Sequence, residues 1–136
     1  MKSLLQKVSL SAIALTLAWG GAGLAQPVAQ TPLPEPVQTS GTVNPGQSSN
    51  CGFIPSAATQ VLQVNEDFAS VNITVSGSGG LTLLIQGPGG FTECHTTSGP
   101  TANINAPGLL NRGSYSFYVG NANQVPTSYS LTISQN

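Results

Sequence analysis

The clearest signal along the chain is apolar and polar residues alternating in short runs. In "SVNITVS" (70–76), Val71, Ile73 and Val75 fall on one face of an extended chain, and Asn72 and Thr74 on the other. "SYSFYVG" (114–120) aligns Tyr115, Phe117 and Val119 against Ser116 and Tyr118, and "SYSLTIS" (128–134) aligns Tyr129, Leu131 and Ile133. Alternation with period two, rich in β-branched and aromatic residues, is the signature of half-buried strands. "LTLLIQ" (81–86) is almost continuously apolar, as a central strand should be, while "VLQV" (61–64) and "TANINA" (101–106) are weaker strand candidates. Between them stand "GSGG" (77–80), "GPGG" (87–90), "APG" (106–108) and "NRG" (111–113), all residues that favour turns. No ten-residue window after Cys51 carries a helical apolar stripe.

This pattern predicts an all-β domain over residues 51–136, an antiparallel two-sheet sandwich of jelly-roll type with about six to eight short strands. Its expected core is Val71, Ile73, Val75, Leu83, Ile85, Tyr115, Phe117, Val119, Tyr129, Leu131 and Ile133. A core of that size is marginal alone, so covalent support is expected.

The N-terminal third reads differently. Lys2 and Lys7 precede the short apolar run "VSLSAIALTLAW", and "GLAQ" places Gly23 and Ala25 as a small-residue cleavage site, so residues 1–25 read as an export signal. The apolar run is interrupted by Ser and Thr and ends in "GGAG", a poor membrane span, so no span remains after cleavage. Residues 26–50, "QPVAQTPLPEPVQTSGTVNPGQSSN", alternate Pro with Gln, Thr and Ser and read as a disordered linker.

Charge removes whole classes of function. Beyond residue 25 the acids are Glu35, Glu66, Asp67 and Glu93 and the one base is Arg112, a net charge of −3. One arginine cannot neutralise a run of phosphates, which argues against nucleic acid as partner. It argues equally against an anionic membrane surface.

Two cysteines remain in that part of the chain, Cys51 and Cys94, and in an oxidising compartment an even pair is read first as a disulfide. His95, the only histidine, follows Cys94 directly and Glu93 precedes it. Neighbouring strand residues point to opposite faces, so Cys94 and His95 make a poor nucleophile and base. No Gly-x-Ser-x-Gly elbow is present to single out a serine. Glu93, Cys94 and His95 lack the spaced four-ligand pattern of zinc, and the short acidic turn Asn65-Glu66-Asp67 is too small for the six to eight oxygens of calcium. No catalytic residues, metal ligands or cofactors are therefore assigned. The candidates for ligand contact are aromatic: Tyr118, on the strand face opposite Tyr115 and Phe117, and Phe91, just after the "GPGG" turn.

From Leu81 onward the motifs carry a family resemblance. "LTLLIQGPGG", a polar strand, "GSYSFYVGN" and a terminal "SYSLTISQ" resemble the bacterial pre-peptidase C-terminal domain and related secreted sandwiches, with Gly113, Tyr115, Phe117, Val119 and Gly120 matching the family pattern. "CGF" at Cys51 and "ECH" at Cys94 resemble small exported proteins of cyanobacteria. The resemblance implies a non-catalytic accessory module beside secreted enzymes. Many relatives cluster Asp residues near a strand turn, whereas "TECHTTSG" has one acid, so no calcium ligands carry over.

The expected function is a secreted accessory or binding module, periplasmic or extracellular, that contacts cell-envelope polysaccharide or a secreted protein. The competing expectation is self-assembly through exposed sheet edges, because the strands carry no lysine to guard them.

Overall fold

The structure, a computed structural model, describes residues 28–44, 46–97 and 101–136. The expected export signal, residues 1–25, lies outside them. The described residues form nine strands: β1 (Val28–Gln30), β2 (Val37–Val43), β3 (Gln47–Ser49), β4 (Gly52–Ile54), β5 (Gln60–Ser78), β6 (Leu81–Gln86), β7 (Thr92–Thr96), β8 (Thr101–Asn121) and β9 (Thr127–Gln135). Among these residues no helix is long and apolar enough to cross a membrane.

Two strands are far longer than the turn signals predict. β5 runs for 19 residues and β8 for 21, paired antiparallel along most of their length. The expected turn Asn65-Glu66-Asp67 is instead a bulge inside β5, three residues facing the single Arg112 between Val64↔Gly113 and Phe68↔Asn111. "APG" and "NRG" likewise lie within β8 rather than ending strands. A bulge bends its strand and sharpens the twist. Here it lets each long strand serve two layers of one continuous sheet. In the first layer β2, β9, the second half of β5 and the first half of β8 lie side by side. In the second, β7, β6, the second half of β8, the first half of β5 and β1 do so, with β1 pairing parallel to β5.

The alternation seen in the sequence sets what lies between the layers. Ile73 pairs with Ile133 and Ala106, and Val75 with Leu131 and Ile104, giving two apolar rows on the first layer. Leu83 and Ile85 pair with Val119 and Phe117 on the second. All are buried in one cluster that also takes in Leu62, Val64 and Val71, so the two layers form a sandwich. Every residue of the expected core is buried except Tyr129, which is half-buried and packs at the margin. Gln60 crosses the interior by accepting a 2.9 Å hydrogen bond from Thr39 Oγ1.

Residues 26–50 correct the expectation of a disordered linker: β1, β2 and β3 all lie there. The segment is short of apolar residues, but Val43 is buried, Ala29, Leu33 and Val37 pack on the core, and β9 supplies β2 with a seven-residue ladder. The sandwich therefore begins at Val28 and not at Cys51. The bulge of β5 holds this segment in place. Asn65 N donates to Thr31 Oγ1 and Asn65 Nδ2 to the Thr31 carbonyl, both at 2.9 Å. The Glu66 carboxylate accepts from Thr31 Oγ1 and, at 2.9 Å, from Gln135 Nε2.

These hydrogen bonds, Thr31 first and Gln135 second, hold the Glu66 carboxyl below the usual carboxylate range. A carboxyl depressed by folding contributes stability that is complete above its unfolded pKa, about 4.3, and is lost as pH falls through the lower folded value. Thermal unfolding followed from neutral pH to below that range should show this loss, and Glu66→Gln should flatten it. An unchanged acid limb in the variant would remove Glu66 from the account.

Candidate functional site

The second layer has an outer face as well as a core face. Along it run Thr82, Leu84 and Gln86 of β6, Ser116, Tyr118 and Gly120 of β8, and Thr92, Cys94 and Thr96 of β7, in register as Cys94–Leu84–Tyr118 and its neighbouring rows. The hairpin of β3 and β4 folds down onto this face. Its turn is closed by Ser49 Oγ, which donates to the Gly52 carbonyl at 2.7 Å and accepts from Cys51 N at 3.0 Å. Gly120 makes the close approach possible. A Cβ there would sit 2.5 Å from the Phe53 carbonyl oxygen and 2.9 Å from Thr82 Oγ1.

Cys51, at the tip of the hairpin, is disulfide-bonded to Cys94 on β7, their Cα atoms 5.6 Å apart. Beneath the hairpin Cys51, Ile54 and Leu84 form a second small core, with Tyr118 packed against it. Between hairpin tip and sheet lies an open groove of about 590 Å³. Leu84 and the two cysteines make its floor, while Ser49, Asn50, Gln86 and Thr92 supply hydroxyls and amides around it. Among the described residues no charged side chain lines it. Such a groove suits an uncharged ligand that offers hydroxyl groups and an apolar face.

The two aromatic candidates are not brought together. Tyr118 borders the hairpin core on the outer face. Phe91 points the other way, half-buried against the main core and edge-on to Tyr115 with ring centroids 5.7 Å apart. Glu93 and His95 lie on β7, opposite Ile85 and Leu83, and so on the face away from Cys94. Oε1 of Glu93 is 3.2 Å from Nε2 of His95 at the surface. With its sulfur bonded to Cys51 on the opposite face, Cys94 offers the imidazole no thiol.

The amide and hydroxyl residues of the groove were not visible as a site in the sequence. Ser49 and Asn50 sit in the segment expected to be a linker, and the Cys51–Cys94 bond, with the packing of the hairpin on the sheet, carries them to Gln86 and Thr92. Also missed were Phe68 and Leu109, 64% and 66% exposed. Their ladder positions, opposite Asn111 and Ser70, set them diagonally adjacent on one face.

No family model matches the chain. An uncharacterised protein of Synechococcus elongatus is 30% identical over 102 residues, covering 72% of this chain and 75% of that protein. Among solved structures, the pre-peptidase C-terminal domain of a collagenase from Bacillus anthracis is similar at 16% identity and a TM-score of 0.49, covering 80% of this chain and 96% of that one.

Proposed function

The chain belongs to the same family as the uncharacterised protein of Synechococcus elongatus, and from that premise we propose that it is an exported, non-catalytic binding module whose ligand is a neutral polysaccharide of the cell envelope. The observation that carries the reading is the groove: an uncharged lining of hydroxyls and amides over an apolar floor, with an aromatic ring packed beside it. Sugars present the same mixture, hydroxyls at their edges and C–H faces that lie on aromatic or aliphatic surface. The disulfide supports an oxidising destination, periplasmic or extracellular. The composition of the groove disfavours a charged ligand, because nothing in it would compensate a desolvated charge.

The test is retention of the purified protein on cell-envelope fractions and insoluble polysaccharides. Saturable retention is expected, weakened about tenfold in an Asn50→Ala, Gln86→Ala double variant, since two lost hydrogen bonds of about 1 kcal/mol each suffice for that. Phe68→Ala, remote from the groove, should bind as the parent does. Retention that ignores the double variant would move the site elsewhere, and retention on no carbohydrate would end the reading.

A further inference from the structure

β7 closes one side of the second layer. Among the described residues it pairs with β6 alone, and Thr92, Glu93, Cys94 and Thr96 are exposed. A free edge is a template for another strand, and natural proteins guard such edges with charges, often pointing inward. Glu93 and His95 are placed as guards of that kind, on the core-facing side of the strand.

The guard has an exception written into its order. Thr92-Glu93-Cys94-His95-Thr96 reads nearly the same from either end in chemical terms, except that acid and imidazole exchange places. We propose that two copies of the protein pair antiparallel along β7, with the twofold axis at Cys94. In that register each Thr92 faces a Thr96, and each Glu93 faces the His95 of the second copy. The existing Glu93–His95 contact, 3.2 Å within one strand, becomes a ring of four groups in which every carboxylate meets two imidazoles. Carboxylate–imidazole hydrogen bonds and Thr–Thr pairs directly across an antiparallel ladder are stabilising, and two carboxylates facing each other there are not.

Register follows from the same order. A slip of two residues, which keeps the faces matched, sets Glu93 against Glu93 or His95 against His95. A slip of one sets acid against the face that carries Cys94. A foreign strand without the complementary pair meets the guard; a second copy in register satisfies it. The interface is isologous and closes as a dimer rather than growing into a fibre. β2, one edge of the first layer, is "VQTSGTV" and has no charged side chain to fix a register in this way. Because Thr92 and Cys94 also line the groove, pairing at β7 sets two grooves side by side across the axis. The pairing stands whether or not those grooves hold polysaccharide.

The experiment is sedimentation equilibrium of the intact protein across a wide concentration range. The parent should dimerise reversibly, and its β7 amides should exchange more slowly as concentration rises. His95→Glu, which makes the strand acid at both positions, should weaken the dimer at least about tenfold, and so should a Glu93→Lys, His95→Lys variant. Mixed one to one, the two variants should recover a dimer. A parent that stays monomeric overturns the proposal. So does a dimer whose affinity is untouched by His95→Glu, or a mixture that associates no better than either variant alone. Should either variant fail to fold, concentration-dependent protection confined to β7 still decides: its absence in the parent is an overturning result.

Discussion

Reducing the Cys51–Cys94 disulfide is expected to lower stability by about 4 kcal/mol, the chain-entropy value for a closed loop of this length. The two cysteines are 43 residues apart in sequence, so the unfolded chain gains a large loop's freedom when the bond is cut. A domain of roughly 100 residues loses about 4–8 °C in Tm per kcal/mol, so the transition should fall by roughly 15–30 °C. The structure says where the loss begins. The hairpin of β3 and β4 is otherwise held by one ladder position, Phe53 opposite Asn121, and by the packing of Ile54 under Cys51. Its release opens the groove before the sandwich itself gives way. Polysaccharide retention should therefore fail under milder reducing conditions than those that abolish the far-ultraviolet signal of the sheet. Thermal scans with and without reductant, and of a Cys51→Ser, Cys94→Ser variant, check both parts. A shift of only a few degrees would mean that the hairpin is fastened chiefly by its noncovalent contacts.

How much of this was legible beforehand depends on whether the signal was local. Val71, Ile73 and Val75, or Tyr115, Phe117 and Val119, announce their face by alternation, because a strand's side chains point up and down by turns whatever it pairs with. β2 announces nothing. "VQTSGTV" has no sustained alternation, and it is a strand because β9 offers a matching row of backbone donors and acceptors. That is a nonlocal cause, invisible from residues 37–43 alone. The interior of β8 shows the reverse error, in which a strong local signal was overruled. Among the described residues, β8 pairs at Pro107 with β5 alone, so its missing N–H can face the open side. Gly113, with φ of 145°, bends β8 inside the strand where "NRG" signals a turn between strands, and the Pro88 ring lies against it. The candidate site divides along the same line. The cysteine pair follows from count and compartment, and the outward face of Tyr118 from alternation. The groove is assembled from positions near 50, 85 and 93 that become neighbours only once the hairpin is tied down.

Phe117→Ala should be as costly as reduction, about 4 kcal/mol, and for a different reason. The ring is fully buried and heads the fully buried side chains in size. It sits where β8 pairs with both neighbours at once, Gln60 of β5 on one side and Ile85 of β6 on the other, and its carbonyl accepts from Thr59 N at 2.8 Å. Backbone fixed on both sides cannot move inward to fill the space left by a ring. The cavity term is therefore added almost in full to the lost burial. Tyr118→Ala, one residue on and on the outer face, removes a half-buried ring and should cost well under half as much. The two variants together measure the alternation on which the sandwich rests. Denaturant unfolding should show a large drop in midpoint for Phe117→Ala and a small one for Tyr118→Ala; equal drops would mean that the two faces of β8 are not core and surface. Small domains hold about 5–15 kcal/mol in all. The disulfide acts largely through the unfolded chain and Phe117 through the packed interior, so their effects should add to about 8 kcal/mol. Reduced Phe117→Ala should then be largely unfolded at room temperature, although each change alone leaves a folded protein.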